Sequence, residues 1–130
     1  MPLFSANSIN QLSTCHPELQ RLFYEVIKHR DCSVTEGFRN KEKQNEAYAK
    51  GNSDKKWPDG KHNKYPSLAV DVYPYPIDYT DKERFYNFAG FVQGVAEMLD
   101  IKIRWGGDWD GDNDLHDQKL MDLVHFELIV

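Results

Sequence analysis

Apolar residues recur at steps of three and four along two stretches of the chain. The first runs from Cys15 to His29, where Pro17 suits an opening helical turn. The second runs from Asp81 to Leu99, where Thr80 or Asp81 is available as the N-cap. This spacing places the apolar side chains on one side of a helix. Both stretches are therefore predicted to be helices that bury one face.

The other patterned segments predict a third helix and a small sheet. Residues Lys41–Ala49 are mostly strong helix formers, although this helix is polar. Long loops are predicted at 52–66 and 106–117. Alternating or β-branched residues predict four strands: a short one in Ser33–Arg39 that leads to a turn at the glycine, and others at Ser67–Tyr73, Ile101–Trp105 and His125–Val130. Helices packed with a small antiparallel sheet make an α+β domain the predicted fold class.

Length and charge limit the classes of protein to which this chain can belong. A chain of 130 residues suits one domain, spanning 1–130, with its own core. The 16 Lys and Arg residues against 21 Asp and Glu residues leave a net charge of −5, which disfavours nucleic acid as a partner. No apolar run is long enough to cross a membrane, and the first twelve residues lack the basic and apolar segments of a signal peptide. We expect a monomer made in the cytoplasm, without membrane insertion.

Three side chains are candidate ligands for a catalytic zinc ion. His62 lies in the long loop, Asp71 interrupts an apolar strand, and His125 opens the last strand. A set of three protein ligands leaves a fourth position for water, as catalytic zinc sites require. A carboxylate on an apolar strand also needs a partner, because an unpaired buried charge is costly. Metal ligation or an ion pair would supply that partner.

Other titratable residues have weaker claims to a role. His116 is the main rival zinc ligand, whereas His16 and His29 lie at the ends of a predicted helix and suit capping or surface positions. Both cysteines are predicted to be buried thiols, since no CxxC spacing occurs. A run of alternating acids could bind calcium, although it lacks the glycine and glutamate of an EF-hand; its members are Asp108, Asp110, Asp112 and Asp114.

Four blocks of sequence resemble a known family, and they occur in the same order as in that family. The chain is similar to phage endolysins of the VanY-like class, which includes zinc D-Ala-D-Ala carboxypeptidases and L-alanyl-D-glutamate endopeptidases. The similarity extends from about Thr14 to Val130. The resemblance implies the fold of the hedgehog and DD-peptidase domains, which is α+β around a small antiparallel sheet. The blocks are GFR at 37–39, KHNKYPSLAVDV at 61–72, RWGGDWDGD at 104–112 and DLVHFEL at 122–128.

The resemblance assigns roles to five residues. The family's His and Asp of an SxHxxGxAxD-like segment, with a His near the C-terminus, map onto His62, Asp71 and His125 as zinc ligands. A carboxylate three residues before the last His, here Asp122, would be the general base. Arg39 would stabilise the oxyanion or bind a substrate carboxylate. Eight residues separate the first two ligands, where the family motif commonly has six, so this loop is longer.

Three further residues are weaker site candidates. Gln44 lies one helical turn beyond the family's arginine, and Glu127 shares a strand face with the last histidine, whose imidazole it could orient. Trp109 could line a substrate groove, whereas Trp105 is more typical of a core residue. The alternative for Glu127 is an exposed strand carboxylate. All of these predictions depend on how the chain folds.

The resemblance implies a zinc peptidase that cuts the stem peptide of bacterial peptidoglycan. Phage relatives favour the L-alanyl-D-glutamate endopeptidase, made in the host cytoplasm and acting on the wall after the membrane is permeabilised. The alternatives are a D-Ala-D-Ala carboxypeptidase of the same fold and a non-catalytic zinc-containing domain that binds cell wall. A calcium-binding structural protein is a third alternative, but it explains none of the histidines.

Overall fold

A computed structural model describes residues 2–112 and 122–130, and within them the chain forms four helices and four strands. The helices are α1 (Ala6–Leu12), α2 (Pro17–Val26), α3 (Lys41–Ala49) and α4 (Lys82–Met98), with a 3₁₀ turn at Lys61–Asn63. The strands are β1 (Cys32–Glu36), β2 (Ala69–Pro74), β3 (Ile103–Trp105) and β4 (His125–Leu128).

The four strands form one antiparallel sheet in the order β1-β2-β4-β3. Strand β2 lies at its centre, where Asp71 is opposite His125 of β4 and next to Glu36 of β1. The register shifts between Val34 and Glu36, as at a β-bulge. The α+β class with an antiparallel sheet is confirmed.

Alternation along the central strands separates an apolar face from a polar one. Val70 and Val72 of β2 and Phe126 of β4 are fully buried in the core. Helices α2 and α4 pack together over this face, and the ring of Phe126 contacts those of Phe23 and Phe88. Because neighbouring strand residues point to opposite faces, Asp71 and His125 project from the other side of the sheet.

Helix α1 is an element that the periodicity did not predict. It has seven residues, too few for a repeating apolar pattern to emerge, and Ser5 caps it by accepting a hydrogen bond from the Ser8 amide. The helix packs on β1, where the Ser8 hydroxyl accepts a hydrogen bond from the buried Val34 amide. Helix α1 thus provides a hydrogen-bond acceptor for the Val34 amide at the outer edge of the sheet.

The other elements were predicted with small differences at their ends. Helix α3 has the predicted bounds, whereas α2 is shorter because His16 caps it, its Nδ1 accepting from the Glu18 amide. Asp81 rather than Thr80 caps α4. Strand β1 ends at Glu36, just before Gly37, where the predicted turn leads towards α3.

Both cysteines are free and buried, as predicted. Burial and a nearby charge, Asp71 for Cys15 and Asp31 for Cys32, raise the pKa of each thiol to about 12. None of the described helices has the length and apolar character that a membrane span requires.

Candidate metal centre and cleft

His62, Asp71 and His125 come together on the polar face of the sheet. The Asp71 Oδ1 atom lies 3.2 Å from His62 Nε2 and 3.5 Å from His125 Nδ1. One ligand atom from each residue lies within 4.8 Å of the other two. Both imidazoles are buried and the carboxylate is largely so. The three side chains could therefore hold one metal ion.

Three different elements supply these side chains. Antiparallel pairing of β2 with β4 sets Asp71 opposite His125. His62 lies in the 3₁₀ turn. The His62 carbonyl oxygen accepts a hydrogen bond of 2.8 Å from the Arg39 amide. The Lys61 carbonyl oxygen accepts another from the Leu68 amide, at 3.2 Å. The long loop before β2 thus folds back, and its length does not remove His62 from the site.

Backbone and carboxylate oxygens determine which imidazole nitrogens face the centre. The Gly37 carbonyl oxygen lies 2.7 Å from His62 Nδ1, and Glu127 Oε1 lies 2.8 Å from His125 Nε2. Each contact holds one ring nitrogen as the N–H donor and leaves the other free to ligate. Gly37 cannot be replaced easily, because an added Cβ would lie 2.3 Å from Thr14 Oγ1.

The electrostatics of the centre favour a cation. Burial opposes ionisation of Asp71, but the charges of His62 and His125 and their hydrogen bonds outweigh it and hold the pKa of this carboxyl well below its usual range. Burial likewise opposes the charged form of His125, but hydrogen bonds to Asp71 and Glu127 raise its pKa to about 9. A centre that stabilises positive charge, with two imidazoles and a carboxylate as donors, fits zinc chemistry.

Asp122 lies at the rim of this centre. Its Oδ2 atom is 4.0 Å from His125 Nδ1, and 32% of its side chain is exposed. Burial and the charge of Asp71 raise the pKa of Asp122. The Asp122 amide donates to the Gly106 carbonyl oxygen at 3.0 Å, and a Cβ on Gly106 would lie 2.1 Å from the Asp122 carbonyl oxygen. The predicted base is thus close to the metal group and reachable from solvent.

Arg39 lies beside the same group. Its guanidinium forms hydrogen bonds with Glu36 and Gln44, and its Nη2 lies 3.6 Å from Asp71 Oδ2. Gln44 is buried in α3 and its Oε1 accepts from both Arg39 and Asn63. This amide therefore connects the arginine to the turn that carries His62.

A cleft continues on both sides of the centre. The first cavity, about 620 Å³, contains Asp71, Tyr73, Glu36 and Lys43. The second, about 530 Å³, contains both metal-facing histidines, and Arg39, Asn52 and Asp122 line both cavities.

Trp109 and Glu127 line the second cavity, where the Trp109 ring lies 5.2 Å from that of His125. Trp105 is buried in the core, as predicted.

Three residues of the site were not among the candidates predicted from the sequence: Glu36, Tyr73 and Asn63. Tyr73 had a usable signal, because it follows Asp71 by two residues on one strand and so shares its face. Glu36 bonds with Arg39 only three residues away, but outside a helix that spacing gives no signal, and Asn63 contacts Arg39 from a distant segment.

The acidic loop places three carboxylates close together. Asp108, Asp110 and Asp112 each offer an oxygen within 4.8 Å of the others, so they could hold a cation. Asp114 and His116 lie outside the described residues.

Two imidazoles and a carboxylate beside a further acid, set in a cleft of an α+β fold, are the arrangement that metal-dependent hydrolases use. Comparison with known proteins then gives the family. A family model described as phage L-alanyl-D-glutamate peptidase matches residues 2–129, and the chain belongs to that family.

Two relatives agree with this assignment. The chain is 32% identical over 120 residues to the L-alanyl-D-glutamate peptidase of Escherichia phage T5. This alignment covers 88% of this chain and 87% of the relative. It also matches the crystal structure of the L-Ala D-Glu endopeptidase ChiX of Serratia marcescens. That match has a TM-score of 0.77 and 26% identity, and it covers 98% of this chain and 90% of that one.

Proposed function

We propose that this member of the family is a zinc endopeptidase that hydrolyses the L-alanyl-D-glutamate bond in the stem peptide of peptidoglycan. The convergence of His62, Asp71 and His125 beside Asp122 in an open cleft carries the proposal. Family membership supports peptidase activity and the bond that is cut. The donor set supports zinc as the metal.

The chain would hold zinc through His62 Nε2, an oxygen of Asp71 and His125 Nδ1. These are the atoms that face one another across the centre. When bound, zinc supplies Lewis acidity, which polarises the amide carbonyl and lowers the pKa of water. Gly37 and Glu127 keep the two rings in the orientation that this ligation needs.

Asp122 is proposed as the general base and acid. Its raised pKa, its partial exposure and its place 4.0 Å from His125 suit a carboxylate that exchanges protons at the rim of the site. It would accept a proton from the attacking water as the new C–O bond forms. It would then donate that proton to the leaving nitrogen as the C–N bond breaks.

Arg39 is proposed to stabilise negative charge on the substrate. Its guanidinium is held by Glu36 and Gln44 and lines both cavities. A donor fixed in this way needs little reorganisation when the carbonyl oxygen becomes an oxyanion. The ion pair with Glu36 therefore serves to orient the arginine.

The shape of the cleft suits an endopeptidase. An endopeptidase must accept substrate residues on both sides of the scissile bond, and cavities of about 620 and 530 Å³ meet at Arg39 and Asp122. We infer that the chain acts as a monomer on the cell wall, reaching it after the host membrane is permeabilised.

The first test is metal analysis combined with digestion of purified peptidoglycan. We expect one zinc per chain by elemental analysis, and new D-glutamate amino termini by mass spectrometry that disappear with a chelator and return with added zinc. Zinc without cleavage would favour the non-catalytic wall-binding domain. Loss of terminal D-Ala alone would favour the carboxypeptidase, and absence of zinc would contradict the metal assignment.

The second test addresses Asp122. Asp122→Asn is expected to lower kcat by about 10²- to 10⁴-fold, the range typical of a lost general base, while zinc content is unchanged. Asp31→Asn, at an exposed carboxylate before β1, is the control and should retain full activity. An Asp122→Asn protein with wild-type kcat would exclude this residue as the base.

A further inference from the structure

Tyr73 is a polar residue in the cleft that the mechanism above leaves without a role. It follows Asp71 by two residues on β2, so both side chains project from the same face of the sheet. Both line the first cavity together with Glu36 of β1 and Lys43 of α3. A ring in this position faces whatever part of the substrate occupies that cavity.

The Tyr73 ring is fixed, while its hydroxyl is available. The ring makes edge contacts with Tyr79 and Phe85, at centroid distances of 5.5 Å and 5.9 Å. Within residues 2–112 and 122–130 no protein group forms a hydrogen bond with the hydroxyl. A phenol is protonated at neutral pH and can donate one hydrogen bond.

The spacing along β2 sets how far Tyr73 lies from a scissile bond held at Asp71. Residues two apart on a strand are separated by about 6.5 to 7 Å. A group on the carbon attached to the scissile nitrogen lies within this distance of the bond. Tyr73 is thus placed to contact the residue beside the cleaved bond.

Lys43 supplies a positive charge in the lining of this cavity. Two other cations there are already paired: Lys50 lies 2.7 Å from Glu46, and Arg39 is bound to Glu36. Lys43 forms none of the ion pairs found in the described part of the chain. Each carboxylate that lines this cavity lies within 4.0 Å of a basic side chain; these carboxylates are Glu36, Glu46, Asp71 and Asp122. The Tyr73 hydroxyl and the Lys43 ammonium, which forms no ion pair with a described residue, therefore remain as donors for an anion.

The proposed substrate has such an anion beside the scissile bond. D-glutamate carries a carboxyl on the carbon attached to the scissile nitrogen. When the stem peptide continues through the side-chain carboxyl, this α-carboxylate remains free and negatively charged.

We propose that the Tyr73 hydroxyl and the Lys43 ammonium bind the free α-carboxylate of the D-glutamate on the leaving side of the bond. This inference rests on the proposed function and deepens it by assigning the first cavity to the leaving side. The subsite selects substrates in which the α-carboxylate is not amidated.

Two synthetic peptides test the assignment: L-Ala-γ-D-Glu-L-Lys and the same peptide with its α-carboxylate converted to an amide. The wild-type protein should cleave the acid with the higher kcat/KM. Tyr73→Phe, which keeps the ring contacts, should lower kcat/KM for the acid by about 10- to 100-fold, mainly through KM, and change the amide little.

Tyr79→Phe is the matched control, because this ring contacts Tyr73 but is 70% exposed and does not line the cavity. It should behave as wild type. Lys43→Met should lower activity on the acid selectively, as Tyr73→Phe does. An equal loss on both peptides, or no loss on either, in Tyr73→Phe would overturn the proposal.

Calorimetric binding of both peptides separates this proposal from the proposed function. If the wild-type protein cleaves neither peptide, the endopeptidase assignment fails. Tighter binding of the acid that is lost in Tyr73→Phe would still support the carboxylate subsite. Equal binding of the acid to wild-type and Tyr73→Phe proteins would overturn the subsite whatever the activity.

Discussion

At the scale of single residues, the orientation of two imidazoles decides what the centre can bind. His62 and His125 present different nitrogens, Nε2 and Nδ1, because different oxygens hold their other nitrogens. A carbonyl oxygen sets the first ring, and the Glu127 carboxylate sets the second. Arg104 lies 3.7 Å from the other Glu127 oxygen and supports it from β3.

Glu127 should therefore control metal affinity without ligating the metal. Burial opposes its ionisation, but the hydrogen bond and charge of His125 outweigh this and lower the pKa of Glu127. Glu127→Gln keeps the shape and removes the charge, so we expect the zinc affinity to fall about 10- to 100-fold. Competition with a fluorescent chelator measures this loss.

The control for this prediction is Glu97→Gln, at an exposed carboxylate near the end of α4. It should bind zinc as tightly as the wild-type protein. Unchanged affinity in Glu127→Gln would show that the charge of Glu127 does not contribute to metal binding.

At the scale of elements, helix α1 completes the sheet. Strand β1 lies at the edge of the sheet and pairs only with β2 among the described strands, so its outward amide at Val34 needs another partner. The buried Ser8 hydroxyl provides it at 3.0 Å. Strand β1 in turn leads to Gly37 and Arg39, so α1 supports the centre indirectly.

Ser8→Ala tests this role of α1. The substitution leaves a buried amide without its acceptor, and we expect the free energy of unfolding to fall by about 1 to 3 kcal/mol in urea titrations. Ser13→Ala, at an exposed hydroxyl that bonds within the same turn, should change it by less than about 0.5 kcal/mol. Equal stabilities for the two variants would contradict the role given to Ser8.

At the scale of the whole molecule, one core joins the helices to the apolar face of the sheet. It includes both thiols: Cys15 precedes α2 and Cys32 opens β1. These cysteines lie in different segments of the chain but belong to the same cluster of packed core residues. Their exposure therefore requires disruption of the core.

We expect the thiols to be unreactive towards a disulfide reagent at pH 8 until the protein unfolds. Burial is the main cause that raises the pKa of each to about 12, so the thiolate, the reactive species, is disfavoured in the folded state. Reactivity in urea should follow the unfolding curve measured by circular dichroism. Rapid reaction of either thiol without denaturant would contradict this.

The raised pKa of the two thiols also makes the free energy of unfolding depend on pH. The folded-state pKa lies above that of an unfolded thiol, so the unfolded chain releases these protons first as the pH rises. The contribution of the thiols to stability is present below about pH 8.5 and is lost between there and about pH 12. Replacing both cysteines with alanine should flatten the decline in the free energy of unfolding over this interval.

The sequence by itself determined the elements that carry a repeating pattern and the residues that chemistry makes conspicuous. Helices α2, α3 and α4 followed from periodicity and composition, because a helix with one buried face must repeat its apolar residues. A charged residue in an apolar strand, Asp71, identified the centre. The resemblance of four short blocks supplied its partners and the predicted base.

Only the tertiary structure decided which side chains meet and through which atoms. Helix α1 is too short to show a period, and the ring nitrogens of His62 and His125 are selected by oxygens that lie 25 residues and two residues away in the chain. The same holds for Tyr73 and Lys43, which face one cavity from a strand and a helix. Apart from Glu127 and His125, which share a strand face, these contacts join distant segments, and no local pattern records them.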